Sequence, residues 1–445
     1  MRLGMKSRSI GTLFAIAFAS FYLLIPAAAP SAADPPVPLL NNGNGGVDWW
    51  FVFKFNATSF PGCGGKATRE CIFGGEVQDY GRFSQQFLYA SSTRPALKKG
   101  SGCLGDSVRD PVGATFNQVF NGEYFYVIWN DQFYLDPRLQ GCGNSCSAPW
   151  AHSKGMLAWD ESGAGFVMQV STPNWPGAGN QSAPRQRNGN TLGCLTQVKK
   201  KQTIPQNNVL YSQHFFALRL TKEALKDVLR GLENASVLTD PSQLQIVKNG
   251  GPQDVQALVN SLGETSDSKE VKKFDLKNGV TLISKPSALS VPPWQMVSAV
   301  LDGVSLRVAS WWSKNRIYTT TPSTRITCWD PQQLGDVRDL GTVEIATTGQ
   351  TADGDVLGLK GGQNHAKIAR STTRNTTYSI FGDMNQEGAL LKSQDCTLSQ
   401  NGRGGLFFVL EDEIFFEGMK TLLKGATAGT SPGADDEEDT PSDDQ

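Results

Sequence analysis

The sequence predicts an α/β protein of two similar lobes, each a mixed β-sheet flanked by helices, joined as a pseudo-dimer around one shared site. Three observations carry that expectation. First, Trp50-Phe51-Val52-Phe53-Lys54-Phe55, Tyr124-Phe125-Tyr126-Val127-Ile128-Trp129 and Gly165-Phe166-Val167-Met168-Gln169-Val170 are aromatic and β-branched runs bounded by Gly, Asn and Pro, the pattern of strands. Second, their near-continuous apolarity suggests burial on both faces, so helices should cover the sheet. Third, two of the chain's three histidines head the same pattern, His152-Ser153-Lys154 and His365-Ala366-Lys367, and Asn174 and Asn385 follow at 22 and 20 residues.

The elements follow in order. Residues 1–33 read as a secretory signal peptide: Arg2, Lys6 and Arg8, then an apolar run from Ile10 to Ile25, then small residues around Ala27-Ala28-Ala29 and Ser31-Ala32-Ala33. Residues 34–46 (DPPVPLLNNGNGG) should be a flexible leader, because Pro, Asn and Gly exclude regular structure. The N-terminal lobe is expected over 47–205. A connecting region with helices follows over 206–280, where Leu225, Val228, Leu229 and Leu232 fall at helical spacing after the cap candidate Thr221. Val255, Leu258, Val259 and Leu262 repeat the spacing, and 266–273 is polar enough for an exposed connection. The C-terminal lobe is expected over 281–425, with apolar runs at Val300 to Trp312, Thr377 to Phe381 and Leu406 to Leu423. Residues 426–445 are rich in Gly, Ser, Asp and Glu and should remain a disordered acidic tail. No repeat of 20 to 50 residues is present, which argues against a solenoid or propeller.

Composition narrows the setting. With 445 residues and 39% hydrophobic content, the chain can bury a large core. Past the leader no stretch reaches membrane-spanning length, so no stable membrane association is expected after signal removal. Eight cysteines (Cys63, Cys71, Cys103, Cys142, Cys146, Cys194, Cys328, Cys396) suit an oxidising, secreted or otherwise extracytoplasmic location, and their pairing is open. Cys142-x3-Cys146 near His152 lacks the second ligand pair of a structural zinc site, so no metal is expected. The formal charge of −1 hides a mildly basic body, since seven acids sit in the tail and three bases in the signal segment. That balance permits an anionic polymer as substrate.

On a strand, residues i and i+2 share a face, so His152 projects with Lys154 and His365 with Lys367. An ammonium beside an imidazole is costly to bury unpaired and makes sense if both face an anion. Chance pairing of Lys at i+2 with two of three histidines is roughly 1 in 100 on composition. Phosphate oxygens would accept from the lysines and the asparagine amides, with an imidazole at phosphorus or at the leaving oxygen. Other signatures are missing: no G-x-S-x-G, no H-E-x-x-H and no P-loop.

At these residues the chain resembles the phospholipase D-like superfamily, which carries H-x-K, a downstream Asp and G-S-x-N in each of two halves. Here the acid after Lys154 is Asp160, one residue late, and the equivalent stretch after Lys367, Ile368-Ala369-Arg370-Ser371-Thr372, has none. Gly-Ser-x-Asn becomes Ser171-Thr172-Pro173-Asn174 and Gly382-Asp383-Met384-Asn385. Those departures match one branch: the chain resembles the deoxyribonuclease II family. The similar segments are Val47-Asp48-Trp49-Trp50-Phe51-Val52, Trp129-Asn130-Asp131-Gln132, His152-Ser153-Lys154-Gly155, Pro173-Asn174-Trp175-Pro176, Gly382-Asp383-Met384-Asn385 and Arg403-Gly404-Gly405. They span 47 to about 423. Where animal members often carry a further histidine, this chain has Val170.

The resemblance implies a duplicated phospholipase D-like fold and an acid endonuclease that hydrolyses DNA, double-stranded by expectation, with no cofactor or metal. It implies a phosphohistidine intermediate and products with 3′-phosphate and 5′-hydroxyl ends. His152, Lys154, His365 and Lys367 are then the catalytic candidates, with His152 as nucleophile and His365 as acid; the sequence does not decide that order. Asn174, Asn385 and Asp383 are the substrate-phosphate candidates, and Asp383 has two further readings: a residue that caps or turns the chain before Asn385, or a group that orients an active-site imidazole. Asn130-Asp131 and His214 read as structural, and Lys199-Lys200-Lys201 as a solvated loop or a grip on DNA phosphates. Two rivals remain: a phospholipase D-like phosphodiesterase acting on lipid, and a catalytically impaired DNA-binding homologue, the latter motivated by Val170. A homodimer is compatible with the sequence, but no clear signal calls for it.

Overall fold

The computed structural model describes residues 34–43, 45–56, 73, 86–102, 104, 105, 107–177, 179–185, 190, 192, 211–276, 278–350, 356–358 and 364–431. The expected signal segment 1–33, residues 432–445 of the tail, Lys199 to Lys201 and four cysteines (Cys63, Cys71, Cys103, Cys194) lie outside them.

The strands are β1 (Trp49–Lys54), β2 (Phe87–Ser91), β3 (Arg94–Lys99), β4 (Phe125–Asn130), β5 (Lys154–Trp159), β6 (Gly165–Val170), β7 (Gln213–Leu220), β8 (Val247–Lys248), β9 (Lys272–Asp275), β10 (Val280–Lys285), β11 (Leu306–Ala309), β12 (Val343–Ile345), β13 (Thr348–Gln350), β14 (Val356–Gly358), β15 (Ile368–Ser371), β16 (Tyr378–Gly382) and β17 (Gly405–Glu411). The helices are α1 (Pro111–Phe120), α2 (Lys222–Ala235), α3 (Gln253–Asn260), α4 (Pro293–Val300), α5 (Pro331–Leu334) and α6 (Glu413–Leu422).

Two large sheets result. The first runs β3-β2-β1-β7-β6-β5-β4-β8 and the second β12-β11-β15-β16-β17-β10-β9. Read from its other edge, the second sheet repeats the order β2-β1-β7-β6-β5-β4-β8 strand for strand, which makes the duplication visible in topology. Two connections differ: β9 precedes β10 in the chain whereas β2 follows β1, and β12 comes directly after β11 whereas β8 comes only after β7. The first sheet is antiparallel throughout, and the second is mixed only through the parallel pair β11 and β12. The expectation of two mixed sheets therefore holds only for the second. Neighbours such as β5 and β6 are joined by a short turn, which antiparallel pairing allows and parallel pairing does not.

Antiparallel strands here are still buried on both faces, as their continuous apolarity requires. Between the sheets lies an aromatic layer: Phe381 stacks on Phe216 at 4.4 Å and on Phe51 at 4.9 Å, and Phe216 meets Phe408 at 5.7 Å. Phe415 of α6 closes one side against Phe51 and Trp49. The outer face of the first sheet is covered by α1, where Thr115 accepts from Trp50 Nε1. The outer face of the second carries its own cluster, with Trp294 of α4 edge-on to Phe407 at 5.1 Å.

Helix α2 starts at Thr221, whose hydroxyl accepts from Ala224 N, and it buries Leu225, Val228, Leu229 and Leu232. It touches both sheets, against β6 and β7 on one side and β9, β10 and β17 on the other. Gly231 permits that approach: a Cβ there would stand 3.1 Å from Leu282 Cδ2. The segment 206–280, expected as a connection, thus contributes more than helices. It supplies β7, a central strand of the first sheet, because Gln213–Leu220 is buried along nearly its whole length. It also supplies β8, at the edge of that sheet, and β9 of the second.

Two loose segments are also tied down. In the leader, Val37 N donates to Gln118 Oε1 and Gln118 Nε2 to Val37 O, while Leu39 exchanges bonds with the Thr115 hydroxyl. Proline denies that stretch a strand, yet Pro36 and Pro38 are buried and its backbone groups find side-chain partners. At the other end, Ala428 N donates to Ile345 O and Thr430 bridges Thr319, so these residues of the expected tail are paired with the second lobe.

Candidate active site

Both His-x-Lys tripeptides sit at strand mouths. Lys154 opens β5, and Lys367 stands one residue before β15. Each tripeptide is held by the opposite lobe, in matching fashion. His152 N donates to Gly404 O at 2.9 Å, just before β17, and His365 N donates to Ser212 O at 2.8 Å, just before β7. The rings follow the same rule: His152 Nδ1 lies 2.7 Å from Asp383 O, the residue after β16, and His365 Nδ1 lies 2.8 Å from Ser171 O, the residue after β6. Four reciprocal contacts thus bring the two copies to one seam between the sheets.

A carbonyl oxygen can only accept, so each Nδ1 must carry the proton, and each ring presents Nε2 for chemistry. Lys367 Nζ is 3.1 Å from His365 Nδ1, but that nitrogen is already a donor; the ammonium bonds instead to His365 O at 2.6 Å. Trp311 packs against the His365 ring at 5.5 Å and meets Tyr211 at 5.4 Å.

The electrostatics are those of a crowded, dry cationic site. His152 is pushed well below the usual histidine range by burial first, then by Lys154, Arg403 and Lys367. His365 is pushed down likewise by burial, then by Lys367, Lys154 and His152. Lys367 is lowered well below the lysine range by burial and by Lys154, with Glu387 opposing. Lys154 is lowered by burial against the pull of Asp131. Each tripeptide feels the charges of the other.

Asp131 is the group whose role the sequence left as structural. Its carboxylate, wholly buried, pairs with Lys154 Nζ and, at 2.9 Å, with Arg403 Nη2 from the other lobe. Burial alone would raise its pKa, but Lys154 and Arg403 outweigh that and hold it low. Arg403 also donates to Trp150 O and Ala151 O, the residues just before His152. The available sequence signal was an acid at the end of a buried strand, β4, which by itself does not name its partner.

The phosphate candidates divide. Asn174 sits at φ 62° with its carbonyl and Oδ1 held by Arg185, and its N–H donates to Gln132 O. Asn385 Nδ2 donates to Glu387 Oε2 at 3.3 Å, and its Oδ1 is buried without a hydrogen-bond partner. Asp383, expected beside the phosphate, turns its carboxylate inward: Gln169 Nε2 donates at 3.1 Å and Leu406 N at 3.0 Å, and the Ser153 hydroxyl joins them. Burial lifts its pKa to about 7. The carboxyl is thus engaged within the chain itself, while the backbone oxygen of the same residue meets His152. His214 accepts from Lys367 N at 3.1 Å within β7 and is fully buried.

Among the described residues no group of three or more His, Cys, Asp or Glu side chains could hold a metal ion. Cys142 and Cys146 are joined to each other, as are Cys328 and Cys396.

The class of protein defined here is a duplicated α/β scaffold that brings two His-x-Lys tripeptides to one seam. The sequence profile of deoxyribonuclease II matches residues 40–425, most of the chain. The chain belongs to the deoxyribonuclease II family and is a DNA-cleaving hydrolase. No curated protein sequence matches it. Among solved structures, yeast tyrosyl-DNA phosphodiesterase and a mutant of the same yeast enzyme are similar at 8% identity, covering 67% of this chain and 86% of theirs, with a TM-score of 0.30. A likeness that small carries no weight for function.

Proposed function

We propose that this chain is a secreted acid endonuclease that hydrolyses double-stranded DNA by histidine chemistry, without a catalytic metal. The observation that carries the reading is the reciprocal seating of His152 and His365, each with Nδ1 bonded to a backbone carbonyl of the other lobe. That seating leaves two Nε2 atoms as the reacting positions.

The first step forms a bond from His152 Nε2 to phosphorus and breaks the bond from phosphorus to the 5′ oxygen. His365 Nε2 supplies the proton to that oxygen, releasing a 5′-hydroxyl. In the second step water gives a proton to His365 Nε2, its oxygen attacks phosphorus, and the bond to His152 breaks. The product end is a 3′-phosphate. Lys154, Lys367 and the amides of Asn174 and Asn385 supply donors for the non-bridging oxygens, where charge grows in the transition state. At acid pH, Lys154, Lys367 and the Arg403 guanidinium supply positive charge at the site in place of a metal.

An extracytoplasmic setting accords with the two disulfides. Among the described residues no helix is long and apolar enough to cross a membrane. The test is plasmid digestion at mildly acidic pH in the presence of a chelator, followed by end-group analysis. The expected result is cleavage with 3′-phosphate ends, abolished by His152→Ala or His365→Ala. An alkaline, chelator-sensitive activity, or one that survives both replacements, removes the proposal.

A further inference from the structure

Two lysines lie deep in the fold and take no part in the chemistry assigned above. Lys54 ends β1 and Lys285 ends β10, and each has 0% exposure. They occupy equivalent places: Lys54 stands opposite Gln213, the first residue of β7, and Lys285 opposite Gly405, the first residue of β17. Among the described residues Lys285 makes no salt bridge. Their ammonium groups are held by backbone oxygens. Lys285 Nζ donates to Leu289 O at 2.7 Å, to Asn401 O and Arg403 O at 2.8 Å, and more weakly to Pro286 O at 3.3 Å. Lys54 Nζ donates to Tyr211 O at 2.7 Å and Phe55 O at 3.0 Å.

The carbonyls they grip are not arbitrary. Arg403 O adjoins Gly404, whose oxygen receives His152 N, and the Arg403 side chain reaches Asp131. Tyr211 O adjoins Ser212, whose oxygen receives His365 N, and the Tyr211 ring packs on Trp311, which packs on His365. In both lobes the lysine holds the residue two places before the facing strand, and the residue between holds the other lobe's histidine.

We propose that Lys54 and Lys285 are a matched pair of positioning residues, each fixing the backbone segment that seats the histidine of the opposite lobe. Burying a cation costs several kcal/mol unless its donors are satisfied, and an apolar side chain would fill the same space more cheaply. What an apolar residue could not do is hold the carbonyls of two separate segments in one register. Burial drags both groups down to about 7, well below the lysine range, so the seat is firmest at acid pH, where the ammonium keeps all three donors. The assignment rests on the histidine reading proposed above, and its test is chosen to fail separately.

The chain's three histidines give three ring signals, assigned by single replacement. Lys285→Met and Lys54→Met retain the volume and remove the donors. The inference expects Lys285→Met to shift the His152 signal alone and Lys54→Met the His365 signal alone, each with kcat on plasmid DNA falling by about tenfold or more and KM little changed. Lys→Gln at each site restores two donors and should recover part of the loss. Shifts of equal size at both histidines, no shift, or unchanged kcat overturns the inference. Loss of the cooperative melt in both the Met and Gln variants also overturns it, because the lysines would then be determinants of the fold. Correct signal shifts in a protein without nuclease activity would overturn the histidine mechanism instead and leave the positioning geometry standing.

Discussion

At the scale of single residues, Asp383 shows how one side chain divides its work. Its backbone oxygen takes the His152 Nδ1 proton, while its carboxylate meets Gln169, Leu406 and Ser153. The carboxyl is raised to about 7 from an ordinary 3.8, chiefly by burial. A raised folded-state value contributes stability that is complete below the unfolded value and is lost as pH rises through the folded one. Asp383→Asn removes that titration. The stability advantage of the native chain over the variant should therefore be larger at pH 5 than at pH 8, as read from denaturant melts. An advantage that does not change across this range would show that this carboxyl is not the group titrating. Asp131 is the converse case. Asp131→Asn would leave Lys154 and Arg403 paired with an amide, and removing one partner of a buried pair costs about 3–5 kcal/mol, so a fall of that size in denaturant melts is expected.

At the scale of elements, the sequence displayed the strands and hid their arrangement. The apolar runs in β1, β4 and β6 were legible because buried strands have few polar positions, and the helix at 222–235 because its leucines recur at helical spacing. The site tripeptides were legible because histidine is rare in this chain. Hidden was everything that depends on a distant partner: β7 as a central strand, Arg403 crossing to Asp131, and lysines ending two equivalent strands. Lys54 in a run of aromatics carries no local sign that its ammonium ends among carbonyls. The interlobe layer was equally hidden, and it makes a prediction of its own. Phe381 of β16 stacks on Phe216 and Phe51 of the facing sheet. Phe381→Ala should cost about 3–5 kcal/mol, and because the same strand delivers Asp383 to His152, kcat should fall as well. A variant with a full loss of stability but native kcat would separate the layer from the site.

At the scale of the whole molecule, the site is assembled against its own electrostatics. His152, His214 and His365 are held below the usual histidine range, and Lys54, Lys154, Lys285 and Lys367 below the lysine range, in every case with burial as the first cause. A depressed folded-state value means stability present above the unfolded value and lost as pH falls through the folded one. For the histidines that loss begins below about 6.5, and for Lys54 and Lys285 it is complete only below about 7. Asp383 runs the other way but is one group against the three histidines, Lys54 and Lys285. The melting temperature should therefore rise from pH 5 to pH 8, while the proposed chemistry needs a protonated imidazole and so favours acid. The reconciling partner is the substrate: a phosphodiester anion at the seam favours every cationic form there and should stabilise most where the empty site is least stable. A short oligonucleotide bound to the His152→Ala variant should raise the melting temperature more at pH 5 than at pH 8. A methylphosphonate analogue of the same sequence, which lacks the charge, should lose most of that increment. An equal rise at both pH values, or an equal rise with the neutral analogue, would mean that DNA is held by contacts remote from the paired tripeptides.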